Sequence, residues 1–249
     1  MILRSEPGSP GIQEALTDGH VKKIVDIFLD IREKDKKFFK LVARFLQEHS
    51  GFPSENFAKQ LGILRNYKFN RIDFSGQRPS SSFSSNELLS SIEALYNAEN
   101  ENTINYRRGA IVELLAYKLV NSRCREGECK SNYCFEAQSG RYKSPQIDVV
   151  VFAQRKQQLE GYSCKIKLHS NLEHNEAVRH LFYLSKEAKD LGYNAHVGLI
   201  SFDESRVICQ RLKTLSIPDA PTIKVPFFHE EIRAYGLDNL SDLMRSPFR

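Results

Sequence analysis

The stretch PQIDVVVFAQRKQQLEGYSCKIK, residues 145–167, decides how this chain is expected to fold. Apart from one aspartate, residues 147–152 form a short β-branched apolar run, which is typical of a strand covered on both faces. A polar turn rich in Gln, Arg and Lys follows, and residues 162–168 then alternate between apolar and polar side chains. The stretch therefore predicts two neighbouring strands joined by a hairpin.

Two charged side chains interrupt these apolar strands. Asp148 lies in the first strand, and Lys165 lies in the second, on the face that also carries Ser163 and Lys167. A buried carboxylate is costly unless it is paired or binds a cation. An acid and a lysine on adjacent strands suit metal-assisted phosphodiester cleavage, because the carboxylate holds a divalent cation and the ammonium orients or activates the attacking water. The alternative is a buried Asp–Lys pair that only fixes the strand register.

The composition is that of an ordinary globular protein, since 41% of the 249 residues are hydrophobic and 27% are charged. No apolar run approaches the roughly 20 residues of a membrane span, and residues 1–11 lack the apolar stretch of a signal peptide. We therefore expect an intracellular, cytoplasmic protein with no membrane partner. The net charge of +5 is compatible with a polyanionic partner without identifying one.

The chain has five cysteines, and in a protein expected to be intracellular they indicate thiols rather than a disulfide framework. Cys124, Cys129 and Cys134 are separated by four residues each. An iron–sulfur cluster would need a fourth ligand, from Cys164 or Cys209. The spacing lacks the usual ligand pair separated by two residues, so we predict no metal site at these cysteines and leave their role open.

The pattern of the chain changes near residue 85. Residues 1–17 have little apolar content and are expected to be frayed. Helical periodicity then covers three segments, residues 18–31, 34–48 and 54–62. An alternating run at residues 65–74 predicts a strand, and the Ser-rich residues 75–86 predict a linker. We therefore assign residues 1–85 to a mostly helical segment, a candidate for DNA binding or dimerisation, and residues 86–249 to an α/β domain.

The order of elements in the second segment predicts an α/β sandwich with a central mixed sheet. Helices are expected at residues 86–98, 106–121, 175–191 and 206–212. Further strands are expected at residues 132–137, 195–202 and 222–225. The last segment, residues 229–244, is expected to form one or two helices.

The helix predicted at residues 106–121 carries three candidate functional residues. Glu113 lies at the edge of its apolar stripe. A helical glutamate is usually a solvated surface residue, but here strands that bear Asp148 and Lys165 follow in order. Arg107 and Arg108 lie at the predicted helix start, where positive charge does not suit the helix dipole, so we predict that they contact phosphate.

These residues make the sequence similar to the PD-(D/E)XK nuclease superfamily over about residues 104–205. The resemblance is carried by the Arg-Arg-Gly helix with Glu113, by Pro-Gln-Ile-Asp148, and by the strand that ends in Ser163-Cys164-Lys165, followed by a helix and an apolar strand. It implies a restriction-endonuclease-like α/β core, in which helices flank a central mixed β-sheet, preceded here by the mostly helical segment.

The resemblance also implies a site and an activity. Asp148, Glu113 and the backbone carbonyl of Cys164 would bind Mg²⁺, for which Mn²⁺ can substitute, while Lys165 assists the attacking water. The implied function is hydrolysis of DNA, in double-stranded form, by a homodimer. Three further residues are candidates for phosphate contact: Gln146, Lys167 and His169.

Ser163 departs from the pattern of the family, which has an acidic residue at this position. A hydroxyl is a weaker ligand for a hard cation, and it removes one negative charge from the site. The nearby Glu160 has the wrong strand parity to substitute unless a bulge intervenes. Either the remaining ligands and waters hold the cation and activity persists, which we favour, or the fold serves as a DNA-binding or regulatory module that no longer cleaves.

Overall fold

The computed structural model describes residues 2–4, 10–67, 85–136, 146–168, 176–213 and 232–248. They form a mixed α/β fold in which helices flank a mixed sheet and the amino-terminal region is mostly helical, as predicted. Contacts divide the chain into two compact units. We call Pro10–Leu115 the helical unit, and Met1–Ser9 together with Ala116–Arg249 the sheet unit.

The helical unit is built from amphipathic helices, and side-chain caps define where three of them begin. Its helices are α1 (Pro10–Thr17), α2 (Gly19–Lys34), α3 (Lys36–Glu48), α4 (Glu55–Arg65), α5 (Ser85–Tyr96) and α6 (Glu101–Asn121), whose last residues belong to the sheet unit. Asp18, Asp35 and Ser54 accept hydrogen bonds from backbone amides of α2, α3 and α4. Such caps satisfy amides that have no partner within the helix. The caps predicted at Asp18 and Ser54 are confirmed.

Aromatic side chains at helical spacing fill the core of the helical unit. The Phe57 ring lies 5.0 Å from that of Phe45 and 4.7 Å from that of Tyr96, and the Tyr96 hydroxyl donates to the His49 carbonyl at 2.7 Å. These contacts join α3, α4 and α5.

The boundary between the two compact units lies within α6, whereas the predicted division lies at residue 85. Residues 68–84, which hold most of the predicted strand and linker, lie outside the described residues.

The described residues of the sheet unit form a six-stranded sheet in which the spatial order of the strands is their order in the chain. The strands are β1 (Ile2–Arg4), β2 (Cys129–Glu136), β3 (Gln146–Ala153), β4 (Gln158–Lys165), β5 (Asn194–Ser201) and β6 (Ile232–Tyr235). From β1 to β4 each neighbouring pair is antiparallel, and β4, β5 and β6 run parallel. The central mixed sheet predicted from the sequence is confirmed.

Among the described residues, the parallel connections contain α7 (Glu176–Asp190), between β4 and β5, and α8 (Ser205–Lys213), between β5 and β6. A side chain at Gly161 on β4 would collide with Leu184 of α7, so glycine allows the helix to approach the strand closely. Gly192 ends α7 with a φ of 81°, in the left-handed region that terminates helices, as predicted. The face of β4 that carries Gly161 is therefore the face that α7 covers.

Two terminal segments differ from the sequence-based expectations. Residues 1–17 were expected to be frayed, but Ile2–Arg4 pairs with β2 and Pro10–Thr17 is helical. Residues 229–244 were expected to be helical, but Ile232–Tyr235 is a strand, followed by a 3-10 helix at Leu240–Met244. Pairing with β5 buries three of its four residues, and that burial outweighs the local helical pattern. The strand predicted at residues 222–225 lies outside the described residues.

Candidate active site on strands β3 and β4

On β3, Asp148 directly precedes Val149, which pairs with Tyr162 of β4. The Asp148 carboxylate turns towards β4. Its Oδ2 atom accepts hydrogen bonds from the Ser163 hydroxyl at 2.9 Å and from the Cys164 amide at 2.6 Å. The side chain is 8% exposed. Among the described residues no hydrogen bond to Oδ1 is found. The carboxylate is thus anchored through its Oδ2 atom.

Ser163 is a donor to Asp148 in this arrangement, and it is only 2% exposed. A carboxylate at this position could not donate, so serine changes the function of the position from possible ligand to anchor. The N–H and C=O of one residue in a strand point to the same edge. The Cys164 carbonyl, predicted to bind the cation, therefore faces the same edge of β4 as the amide that bonds Asp148.

Lys165 lies two residues after Ser163 on β4 and is half-buried. Alternation along the strand places its side chain on the face of Ser163 and Gly161, which α7 covers. The sequence predicted this shared face for Ser163 and Lys165.

His180 on α7 is a residue that the sequence analysis missed. Its Nδ1 atom lies 3.3 Å from the Gln146 carbonyl oxygen. Burial lowers the pKa of His180, and the Lys165 ammonium lowers it further. The Gln146 carbonyl and the carboxylates of Glu176 and Asp148 act in the opposite direction. Asp148 and Lys165 are therefore both within electrostatic reach of one imidazole.

The sequence did contain a signal for His180. It shares a helical row with Ala177 and Leu184, both buried in the core against the sheet. A histidine within such an apolar row is unusual for a surface helix. Only the packing of α7 on β3 and β4 shows which strand residues this histidine meets.

The three candidate phosphate contacts near this strand pair have different outcomes. The Gln146 side chain donates to the Asn132 side chain at 3.1 Å, so its amide already has a partner on β2. Lys167 is exposed just after β4 ends. His169 lies outside the described residues. The phosphate contacts of all three residues stay predictions.

Glu113 lies on α6 in the helical unit and is 8% exposed. It is therefore not the solvated surface residue that a helical glutamate usually is. Asp148 and Lys165 belong to the sheet unit, so the role of Glu113 as a cation ligand stays a prediction.

The buried position of Arg108 contradicts one of the predicted phosphate contacts. It is 3% exposed, and its Nε donates to the Leu46 carbonyl at 2.7 Å while Nη1 donates to the Asn105 side chain at 2.7 Å. A guanidinium whose donors are used inside the fold cannot also reach a phosphate in solvent, so the prediction for Arg108 was wrong. The helix begins at Glu101, several residues before the predicted start.

Arg107 is also held within the helical unit. Its Nε lies 3.1 Å from Asp18 Oδ2, and its Nη1 donates to the carbonyls of Ala94 and Leu95 at 3.3 and 3.2 Å. A phosphate would have to compete with these bonds. The structure favours a role for Arg107 in joining α6 to the ends of α5 and α2.

Glu160 lies on the opposite face of β4 from Ser163, as its strand parity predicted. It is 3% exposed and is paired with Arg123: Nη1 donates to Oε1 at 2.9 Å and Nη2 donates to Oε2. The Tyr162 hydroxyl also donates to Glu160, at 2.6 Å. Glu160 therefore does not supply the missing acid of the candidate site.

His196 on β5 pairs with Glu160 and lies on the same face of the sheet, which we call the second face. Its titration makes the stability of the chain depend on pH. Burial lowers the pKa of His196 to about 4; Glu160 opposes the shift, and Arg233 and Arg123 add to it. The unfolded chain therefore binds a proton first as the pH falls. The stability that neutral His196 contributes is present above about pH 6.5 and is lost as the pH falls to about 4, by about 3 kcal/mol in all.

We expect this loss to appear as a steeper pH dependence in the wild type than in His196→Gln. The measurement is the free energy of unfolding by urea at pH 7 and pH 4. His20→Gln, at an exposed position, should keep the wild-type dependence. Equal slopes for wild type and His196→Gln would contradict the assignment.

The comparisons with known proteins add little to this description. No family model matches the chain, and no curated protein matches it significantly. The chain is similar to the crystal structure of protein VC1899 from Vibrio cholerae, with 16% sequence identity and a TM-score of 0.41. The match covers 97% of this chain and 57% of that one.

No helix among the described residues is long and apolar enough to cross a membrane.

Proposed function

We propose that this chain hydrolyses phosphodiester bonds of DNA in a divalent-metal-dependent reaction. The observation that supports the proposal best is the setting of Asp148: its carboxylate is fixed through one oxygen by β4, and Lys165 follows on the same strand and face as the Ser163 that fixes it. This is the acid and lysine on adjacent strands that the resemblance to PD-(D/E)XK nucleases implies. The restriction-endonuclease-like name for the fold belongs to the same proposal.

The donor set is compatible with Mg²⁺ or Mn²⁺. In the described parts of the chain, no group of three or more His, Cys, Asp or Glu side chains is arranged to hold a metal ion. Mg²⁺ does not require such a cage, because it usually keeps several waters and binds one or two carboxylates together with substrate phosphate. Asp148 Oδ1 and the Cys164 carbonyl would be ligands from the sheet unit.

Each residue has a distinct task in the proposed reaction. A bound cation would neutralise charge on the scissile phosphate and acidify a water molecule. Asp148 would hold that cation, and the two bonds to its Oδ2 would keep the carboxylate from turning away. Lys165 would orient the attacking water and offset the negative charge that develops in the transition state. Ser163 acts through Asp148 and is a positioning residue.

The test is cleavage of supercoiled plasmid by purified protein with Mg²⁺ or Mn²⁺. Asp148→Asn retains an oxygen that can accept from Ser163 and Cys164 but loses the charge, and Lys165→Met retains the length of the side chain. We expect each to lower the rate by about 100-fold, equivalent to about 2.7 kcal/mol of barrier. Asp190→Asn and Lys156→Met, at exposed positions, are the matched controls and should cut like the wild type.

Two outcomes would count against hydrolysis. Binding of DNA by the wild type without cutting under either metal would favour a DNA-binding or regulatory module. Cutting that persists in Asp148→Asn and Lys165→Met would place the reaction elsewhere or in a contaminant. Single-stranded DNA and RNA of the same sequence, assayed in parallel, would define the substrate, and light scattering would test the predicted homodimer.

A further inference from the structure

Cys124 and Cys129 flank a tight turn between α6 and β2. The Cys124 thiol donates to the Val120 carbonyl at the end of α6 at 3.3 Å, and Cys129 is the first residue of β2. Between them, the Glu128 amide donates to the Arg125 carbonyl at 3.1 Å, and Gly127 has a φ of 81°. The Arg125–Glu128 turn folds the chain back, so that Cys124 and Cys129 lie side by side at its two ends.

The two thiols differ in environment, which gives them different chemical tasks. Cys124 is partly exposed, whereas Cys129 is buried at 6% exposure. The hydrogen bond from the Cys129 thiol lowers the pKa of Cys124, and Arg123 acts in the same direction, against burial and the carboxylates of Glu160 and Glu128. The same pairing raises the pKa of Cys129. A partly exposed thiol next to a guanidinium is the type of cysteine that oxidants attack first.

We propose that Cys124 and Cys129 form a reversible disulfide when the protein meets hydrogen peroxide, with Cys124 oxidised first and Cys129 resolving it. The Cys124 thiolate attacks one peroxide oxygen, the O–O bond breaks, and the sulfur becomes a sulfenic acid. The departing hydroxide takes up the proton that the Cys124 thiol released and leaves as one water. The Cys129 sulfur then attacks the Cys124 sulfur, its own proton and the sulfenic oxygen leaving as a second water. Overall, two thiols and one peroxide give one disulfide and two waters.

Arg123 connects the redox state of the Cys124–Cys129 pair to the face of the sheet that carries Glu160. Arg123, which precedes Cys124, binds both Glu160 oxygens and donates to the Leu243 carbonyl at 2.7 Å. The two neighbouring sulfur atoms must come within the S–S length of about 2.05 Å, and the turn next to Arg123 must adjust. The disulfide would form whether or not the protein cleaves DNA.

The experiment is oxidation of the full chain with stoichiometric hydrogen peroxide, followed by alkylation and peptide mass mapping. We expect the wild type to lose two thiols to a disulfide between residues 124 and 129, and dithiothreitol should restore both. Cys129→Ser should stop at a sulfenic acid on residue 124, which dimedone traps. Cys209→Ser, which removes a partly exposed cysteine elsewhere, is the matched control and should react like the wild type.

The rate provides a second measurement that does not require a variant. Thiol loss at residue 124 should be about tenfold faster than at residue 209, because the thiol of Cys129 and the guanidinium of Arg123 favour the Cys124 thiolate. Equal rates at the two positions, a disulfide that involves Cys134, or retention of all thiols would each overturn the proposal.

Discussion

Replacing Arg123 by methionine is expected to lower the free energy of unfolding of the sheet unit by about 3–5 kcal/mol, because it leaves a buried carboxylate without its partner. Glu160 is 3% exposed and both of its oxygens accept from Arg123. The same guanidinium donates to the Tyr162 hydroxyl at 3.2 Å and to the Leu243 carbonyl at 2.7 Å. Methionine fills similar volume but supplies none of these donors.

The double variant Arg123→Met with Glu160→Gln separates charge from packing. It removes both charges and should recover more than half of the loss, since the cost of Arg123→Met lies mainly in the unpaired carboxylate. Arg125→Met, at an exposed arginine of the adjacent turn, is the matched control and should change stability by less than about 0.5 kcal/mol. Urea unfolding followed by circular dichroism measures all three. Similar effects of Arg123→Met and Arg125→Met would contradict a structural role for the pair.

Placing an acid at position 163 with Ser163→Glu, as in the PD-(D/E)XK nucleases that the sequence resembles, is expected to make stability depend on divalent cations. Without a cation, the variant loses a donor to Asp148 and adds a second carboxylate in a buried setting. The free energy of unfolding should then fall by about 3–5 kcal/mol. With millimolar Mg²⁺ or Mn²⁺, the two carboxylates gain a shared counterion, and most of the loss should be recovered.

Ser163→Gln is the matched control for this prediction, because it has the size of glutamate without its charge. It should be destabilised to the same extent in EDTA and in Mg²⁺. The measurement is the midpoint of thermal unfolding in each condition. Stability of Ser163→Glu that does not respond to either metal would show that the second carboxylate does not point to a cation site at Asp148.

The sequence alone predicted the elements whose signal is local. The β-branched run and the alternation that follows it predicted β3, β4 and their hairpin, because strand parity is a property of neighbouring residues. Helix caps at Asp18 and Ser54 were also predicted, because a cap residue lies directly before the helix that it caps. Parity also predicted that Ser163 and Lys165 share one face of β4 and that Glu160 lies on the other.

Only the tertiary structure decided the strands and side-chain contacts that depend on pairing between distant segments. Residues 232–235 form a strand because β5 offers a parallel partner, and residues 2–4 form one because β2 does. Arg108 was interpreted as a surface cation, since sequence gives no sign of the carbonyls at the end of α3 that bind it. His180 meets the Asp148 site only because α7 packs on β3 and β4. Side-chain periodicity reports which face a residue occupies, whereas the partner on that face depends on how distant segments pack.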